Sequence, residues 1–461
     1  MPVRTIPGTD VQYHLICFNA DGVEVADSDG AMLSETVQRR LADRVDPITD
    51  VFFASHGWKG DVPAAIDQYD RWVGAMASSP DHAAATVHRP GFRSLVIGVH
   101  WPSLPFGDET IPGEGGVLGA DDGTDIEAAI DQFAASIADT RTARAAIRVI
   151  LEAAQRDDGE RETLPEPVRR AYEQLAMEAS ITDGDDNPGG APGQEQGAWD
   201  ADAIYHDART SGVPDDGASG PDAVTPGLLS WGVLRRLKGL IVAPLQQMSF
   251  WKMKDRARRI GEGGAHDLLV RLQKAAPAST HFHLMGHSFG CIVMSATVAG
   301  TATSEPLARP VDTLFLVQGA LSLWSYSPDI PLAPGQPGYF NRILKGGLVR
   351  GPIITTQSRF DTAVGRLYPA AARVKSQLVL GDELPRYGGV GTFGIHGIGT
   401  VQEDRPMESV TFDYGFTPGR VYNLESSGVI KTGGGFSGSH SDIAHPEVAH
   451  VLWQAVFAAP Q

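Results

Sequence analysis

Short apolar runs recur along the chain. Asp50-Val51-Phe52-Phe53-Ala54 and Leu95-Val96-Ile97-Gly98-Val99 come first, and Phe282-His283-Leu284-Met285, Thr313-Leu314-Phe315-Leu316-Val317, Ile353-Ile354, Leu378-Val379-Leu380 and Val421-Tyr422 follow. Runs of this length without polar alternation predict strands buried on both faces, the condition of a parallel sheet. After the first run, Asp61 and Pro63 supply helix-start chemistry, and Ile66, Tyr69, Val73 and Met76 recur at helical spacing before the second run begins. Strand, helix, strand is the grammar of an α/β fold. At the N-terminus Val11, Tyr13, Leu15 and Cys17 alternate, Asn19-Ala20-Asp21-Gly22 turns the chain, and Val23 and Val25 resume, which predicts a hairpin. A short helix opened by Ser34 is expected near Met32 to Arg44, another around Lys254 to Lys274, and a terminal one from Pro446.

Between residues 104 and 250 this grammar stops. Ile126, Ile130, Phe133, Ile137, Ile147 and Ile150 predict one long amphipathic helix over 125–155, and Val168, Tyr172 and Leu175 a shorter one. Residues 181–224 hold ten acids against one Arg, with eight Gly and four Pro, a composition that predicts a mobile loop. Asp183, Asp185 and Asn187 imitate the start of a calcium loop there. Pro188 replaces its turn glycine and Gln194 stands where the bidentate Glu belongs, so the stretch is read as a solvated tract and no metal is expected. The division is therefore 1–103 as a hairpin and first half of a core, 104–250 as a helical and acidic insertion, and 251–461 as the second half.

Composition narrows the classes. The chain has 461 residues, and 53 Gly with 31 Pro still leave 42% hydrophobic positions, a globular balance that excludes collagen, coiled coil and wholesale disorder. A net charge of −18 repels phosphate backbones and argues against nucleic acid as a partner. Two cysteines make no disulfide framework, and MPVRTIPGTDVQYHL has none of the parts of a signal peptide, so a cytoplasmic protein is expected.

The chemistry centres on Gly286-His287-Ser288-Phe289-Gly290. An apolar strand runs into it and Cys291-Ile292-Val293-Met294 continues as a helix, the setting in which a serine can be exposed on a sharp strand-to-helix turn. A serine needs a base and an acid that orients the base. His440 is the expected base, because it lies on the Gly-rich loop between the Val421 strand and the last helix. His445 and His450 read as helix-cap and packing residues, and His396 is held in reserve. Asp361 follows the Ile353 strand and is the expected acid, with Asp382 and Glu383 as rivals. Donors for an oxyanion are expected from the backbone N–H of Phe289 and, on the loop after the Val51 strand, of Trp58. Gly57, His287 and Trp231 are expected to lie against the substrate. Trp231 belongs to the apolar and basic stretch 228–242, read as a cap helix in preference to an interfacial lid, so membrane contact is not favoured.

His56-Gly57-Trp58, Trp101-Pro102-Ser103, Gly286-His287-Ser288-Phe289-Gly290, Asp361 and Ser439-His440-Ser441-Asp442, in that order, resemble the α/β-hydrolase superfamily in its lipase and esterase-like branch. The resemblance implies a mainly parallel central sheet flanked by helices, with 104–250 as a cap insertion. It also implies a Ser288-His440-Asp361 triad that hydrolyses a small-molecule ester or acyl substrate without a cofactor. An amidase or peptidase with the same triad, and a non-catalytic partner-binding member of the fold, are the alternatives.

Overall fold

The computed structural model describes residues 3–27, 30–57, 62–103, 124–157, 161–181, 187–195, 199–210, 240–367, 384–433 and 438–460. Among them nine strands form one sheet: β1 (Val3–Thr5), β2 (Gln12–Cys17), β3 (Asp50–Ser55), β4 (Ser94–His100), β5 (His281–His287), β6 (Thr313–Val317), β7 (Ile353–Gln357), β8 (Gln402–Pro406) and β9 (Val421–Glu425). Their order is β1-β2-β4-β3-β5-β6-β7-β9-β8, and only β1 runs antiparallel to its neighbour. The protein is thus α/β with a mostly parallel sheet flanked by helices. Every residue of β3 is buried, Val51 and Phe53 in the apolar cluster on one face, Phe52 and Ala54 in that on the other. Two-sided burial is why these runs lack polar alternates.

Helix α1 (Leu33–Ala42) shares one face with α8 (Ala243–Ile260), α9 (His266–Ala275) and α10 (Gly290–Ala299), while α2 (Val62–Ala77), α3 (Pro80–His88) and the terminal α11 (Pro446–Ala458) cover the other. From β3 the chain crosses through α2 and α3 to β4 on one side, and later returns on the other side of β3 as β5, which leads into α10. The connections after β3 and β5 therefore diverge toward opposite faces, and such a reversal of strand order opens a crevice at the strands' C-terminal ends. Ser55 pairs with Gly286 there, so the two strands end together.

Several sequence expectations are corrected. The helix expected over 125–155 is two: α4 (Thr124–Ser136) ends at Ser136, and α5 (Arg141–Arg156) starts afresh with Thr140 as its cap, accepting from Ala143 N at 3.0 Å. Helix α1 is not opened by Ser34: Met32 precedes it and Ser34 lies in its first turn, its N–H on Glu24. The helix expected around Lys254 to Lys274 is α8 and α9 joined across a kink at Gly263, whose φ of −96° and ψ of −109° are not helical. The expected N-terminal hairpin is present but short, a bridge between Phe18 and Glu24 with Asn19 N donating to Val23 O and Val25 N to Cys17 O, while β2 itself pairs with β1 and β4.

The insertion has its own apolar cluster, built from α4, α5, α6 (Glu166–Glu178), α7 (Ala201–Thr210) and the start of α8. Reading 181–224 as a loop throughout is wrong for α7, whose Ala201 and Tyr205 are buried in that cluster. Composition misleads here because the acids have partners elsewhere: Asp202 pairs with Arg169 and buried Glu195 with Lys254. Asp183, Asp185, residues 211–224, Trp231 with 228–239, and the strand expected at Leu378–Leu380 lie outside the described residues. Of the stretch 228–242, Leu240, Ile241 and Val242 pack against the insertion's cluster.

Candidate active site

Ser288 stands between the end of β5 and the start of α10, at the crevice. Its φ is 57°, a left-handed conformation that a residue with a Cβ adopts at a cost of about 1–3 kcal/mol. Two glycines make the turn possible. A Cβ on Gly286 would lie 2.3 Å from Gly290 O, and one on Gly290 would lie 2.2 Å from Ser55 O. The turn is held by Ser288 N donating to Val317 O at 3.1 Å and by Cys291 N and Ala320 N both donating to Ser288 O at 3.1 Å. Phe289 follows as the residue before the first helical turn of α10, where backbone N–H groups and the helix dipole favour negative charge.

The loop after β3 lies directly against this serine. A Cβ on Gly57 would come within 2.7 Å of Ser288 Cβ. His56 fixes the loop: its Nδ1 donates to Gly57 O at 2.8 Å, its Nε2 lies 3.0 Å from His100 Nδ1, and its ring stacks on Trp101 at 5.7 Å. Tyr69 from α2 closes the same strand ends, accepting from His56 N and donating to Val99 O at 2.7 Å. Burial pushes His56 down to about 4 and His100 well below the ordinary histidine value, so both are neutral. Trp58 lies outside the described residues.

Asp361, fully buried, follows β7, and His440, 8% exposed, follows β9 on the 438–445 loop. His440 Nδ1 donates to Asp361 Oδ2 at 2.8 Å. The two loops are also joined by their backbones, through a bridge between Asp361 and Gly438 and a bond from Ser439 N to Phe360 O at 3.0 Å. With Nδ1 as donor, His440 carries its lone pair on Nε2, the tautomer of a general base. No hydrogen bond joins Ser288 Oγ to His440 among the described residues. Instead His287, the neighbour of Ser288, donates from Nε2 to His440 O at 2.9 Å and faces the His440 ring at 5.0 Å.

His287 was expected at the substrate, yet both its ring nitrogens are engaged inside the protein, Nδ1 accepting from Gln68 Nε2 at 3.0 Å. Burial, then the facing His440, pushes it down to about 3, so it is a neutral spacer between Ser288 and His440. The other histidines hold structure. His445 donates to Asp442, which also receives Lys431 N and Thr432 N; His450 bridges Asp81 and Phe412 O; His396 joins Phe393 O to Gln402. Asp382 and Glu383, the rivals of Asp361, lie outside the described residues.

Sequence reasoning misses Gln318 and Gln68. Gln318 follows β6, where the absence of an acid draws attention away, yet its place on the strand between β5 and β7 is the signal that could have found it. Gln68 lies one residue before Tyr69 on α2 and carries no sequence signal of its own. Comparison with protein-family models, curated proteins and solved structures finds no match.

Proposed function

We propose that the chain is a serine hydrolase of the α/β-hydrolase type that cleaves a carboxylic ester through an acyl-enzyme, with its helical insertion as a cap. The observation that carries this reading is the convergence of three loops at one end of the sheet: Ser288 on its strained turn, and the Asp361–His440 pair tied to it through His287. Ser288 Oγ attacks the acyl carbon and passes its proton to His440 Nε2, while Asp361 holds Nδ1 and stabilises the imidazolium. The oxyanion faces Phe289 N–H. His440 then protonates the leaving alcohol, and water repeats the sequence to release the acid. The Ser288–His440 hydrogen bond forms when substrate is seated, as such bonds tighten in the Michaelis complex.

The test is labelling by a fluorophosphonate probe with mass-spectrometric site mapping, followed by p-nitrophenyl esters of graded chain length and matched anilides. Labelling confined to Ser288, lost in Ser288→Ala, with esters cleaved faster than anilides, supports the reading. Labelling at another serine overturns the site; a preference for anilides moves the activity to amides.

A further inference from the structure

Ser288, Ser180 and Gln318 are the non-glycine residues with positive φ among those described, and Gln318, at φ 48°, sits at the same sheet end as Ser288, one strand away. Its side chain is fully buried. Strain kept at a buried polar residue points to a function for its side chain.

The hydrogen bonds say which. Thr356 Oγ1 donates to Gln318 Oε1 at 3.0 Å, and Gln318 N donates back to Thr356 Oγ1 at 3.0 Å, so the carboxamide is held one way round. Its Nε2 then donates to Asp361 Oδ2 at 3.2 Å, the oxygen that also receives His440 Nδ1. The other oxygen, Oδ1, accepts from Val364 N at 3.2 Å. Behind the carboxylate there is no room for a side chain, since a Cβ on Gly391 would lie 2.8 Å from Oδ2. The titratable groups here are Asp361, His440 and, beyond it, neutral His287.

We propose that Gln318, oriented by Thr356, is a positioning residue that keeps the Asp361 carboxylate aimed at His440. The inference rests on the triad reading above. Without that donor the carboxylate turns, and His440 loses both its orientation and the partner that stabilises its imidazolium.

Phosphonylation of Ser288 tests this, because Oγ displaces fluoride from the probe while His440 accepts the proton, and no physiological substrate is needed. Rates are measured from about pH 5 to about pH 9. Gln318→Met, similar in shape but without a donor, slows labelling roughly 10- to 100-fold. Gln318→Glu places a second carboxyl against Oδ2; the pair resists carrying two charges, and the acid limb of the profile moves to higher pH. A merely structural residue would not move that limb. If Asp361→Asn labels at the wild-type rate, the triad reading fails and this inference with it. If Asp361→Asn is slow while both Gln318 variants keep the wild-type rate and profile, the role of Gln318 alone is overturned. Thr356→Val, which releases the carboxamide with Gln318 in place, slows labelling roughly 3- to 10-fold; a wild-type rate there overturns the inference where the Gln318 variants do not fold.

Discussion

His287 Nε2 donates to the backbone carbonyl of His440 across 2.9 Å, so the residue beside Ser288 carries the His440 loop. Gln68 sets the tautomer that makes this possible, because its amide donates to Nδ1 and leaves the proton on Nε2. His287→Phe keeps the ring and loses the donor. It is expected to lower kcat for an ester about 10-fold with KM near wild type and to destabilise the fold by about 1–2 kcal/mol. Gln68→Ala is expected to do the same more weakly. Steady-state kinetics and urea titration read both. An unchanged kcat in His287→Phe would show that the bridges at Asp361–Gly438 and Phe360–Ser439 hold the His440 loop by themselves.

Gly57→Ala separates the loop after β3 from the rest of the core. Its new Cβ, 2.7 Å from Ser288 Cβ, forces either Ser288 or the loop to shift. Ester turnover is expected to fall about 100-fold or more, since misplacement by an ångström costs about that much, while the fold loses about 1–3 kcal/mol. Gly290→Ala meets rigid backbone at 2.2 Å and is expected to abolish folding. Circular dichroism alongside turnover distinguishes the two, and an active Gly57→Ala would remove this loop from the site.

The sheet and the turn at Ser288 were legible because their signals are local. Two-sided burial writes β3 and β5 as apolar runs, and a left-handed serine between clashing strand and helix backbones demands Gly286 and Gly290. The Asp361–His440 pair was reachable because each follows a strand at the same sheet end. Gln318 was not, because its importance comes from a φ of 48° and from a hydrogen bond to a residue 43 positions away, and neither leaves a trace in spacing. Helix α7 was hidden for a related reason: Asp202 and Glu195 look like solvated charge until Arg169 and Lys254 are placed beside them.

Stability should fall as the solution is acidified below about pH 6.5. Burial holds His56, His100, His283 and His287 below the ordinary histidine value of 6.5, with His56 at about 4 and His287 at about 3. As pH drops past 6.5 the unfolded chain takes up a proton at each, while the folded chain does not until those lower values. The unfolded state binds more protons in this window, so stability is lost on acidification, by roughly 2 kcal/mol at about pH 5 for each of His56 and His287. Asp50 and Asp312 add to the loss further down. Burial pushes both up, but His283 beside Asp50 and His281 beside Asp312 bring them below the usual carboxylate value; their contribution is present above that value and lost as pH falls through the folded one. Urea midpoints at pH 7 and pH 5 read the effect, and equal midpoints would contradict it.

Glu195 and Lys254 form a buried ion pair that fastens the insertion to α8, with the Lys254 ammonium 4.7 Å from the Trp251 ring centroid. Burial pushes Glu195 up and Lys254 down, and their mutual attraction opposes both shifts. A pair of this kind contributes little over an apolar replacement, yet losing one partner strands the other charge in a dry site. Lys254→Met is therefore expected to destabilise by about 3–5 kcal/mol, and Lys254→Met with Glu195→Leu to recover most of that loss. Because the insertion packs in an apolar cluster of its own, the loss should show first as an early unfolding step confined to it, read by limited proteolysis between residues 187 and 210. If the double variant is no more stable than Lys254→Met, the pair is held by contacts beyond each other, and the insertion is fastened to α8 by packing.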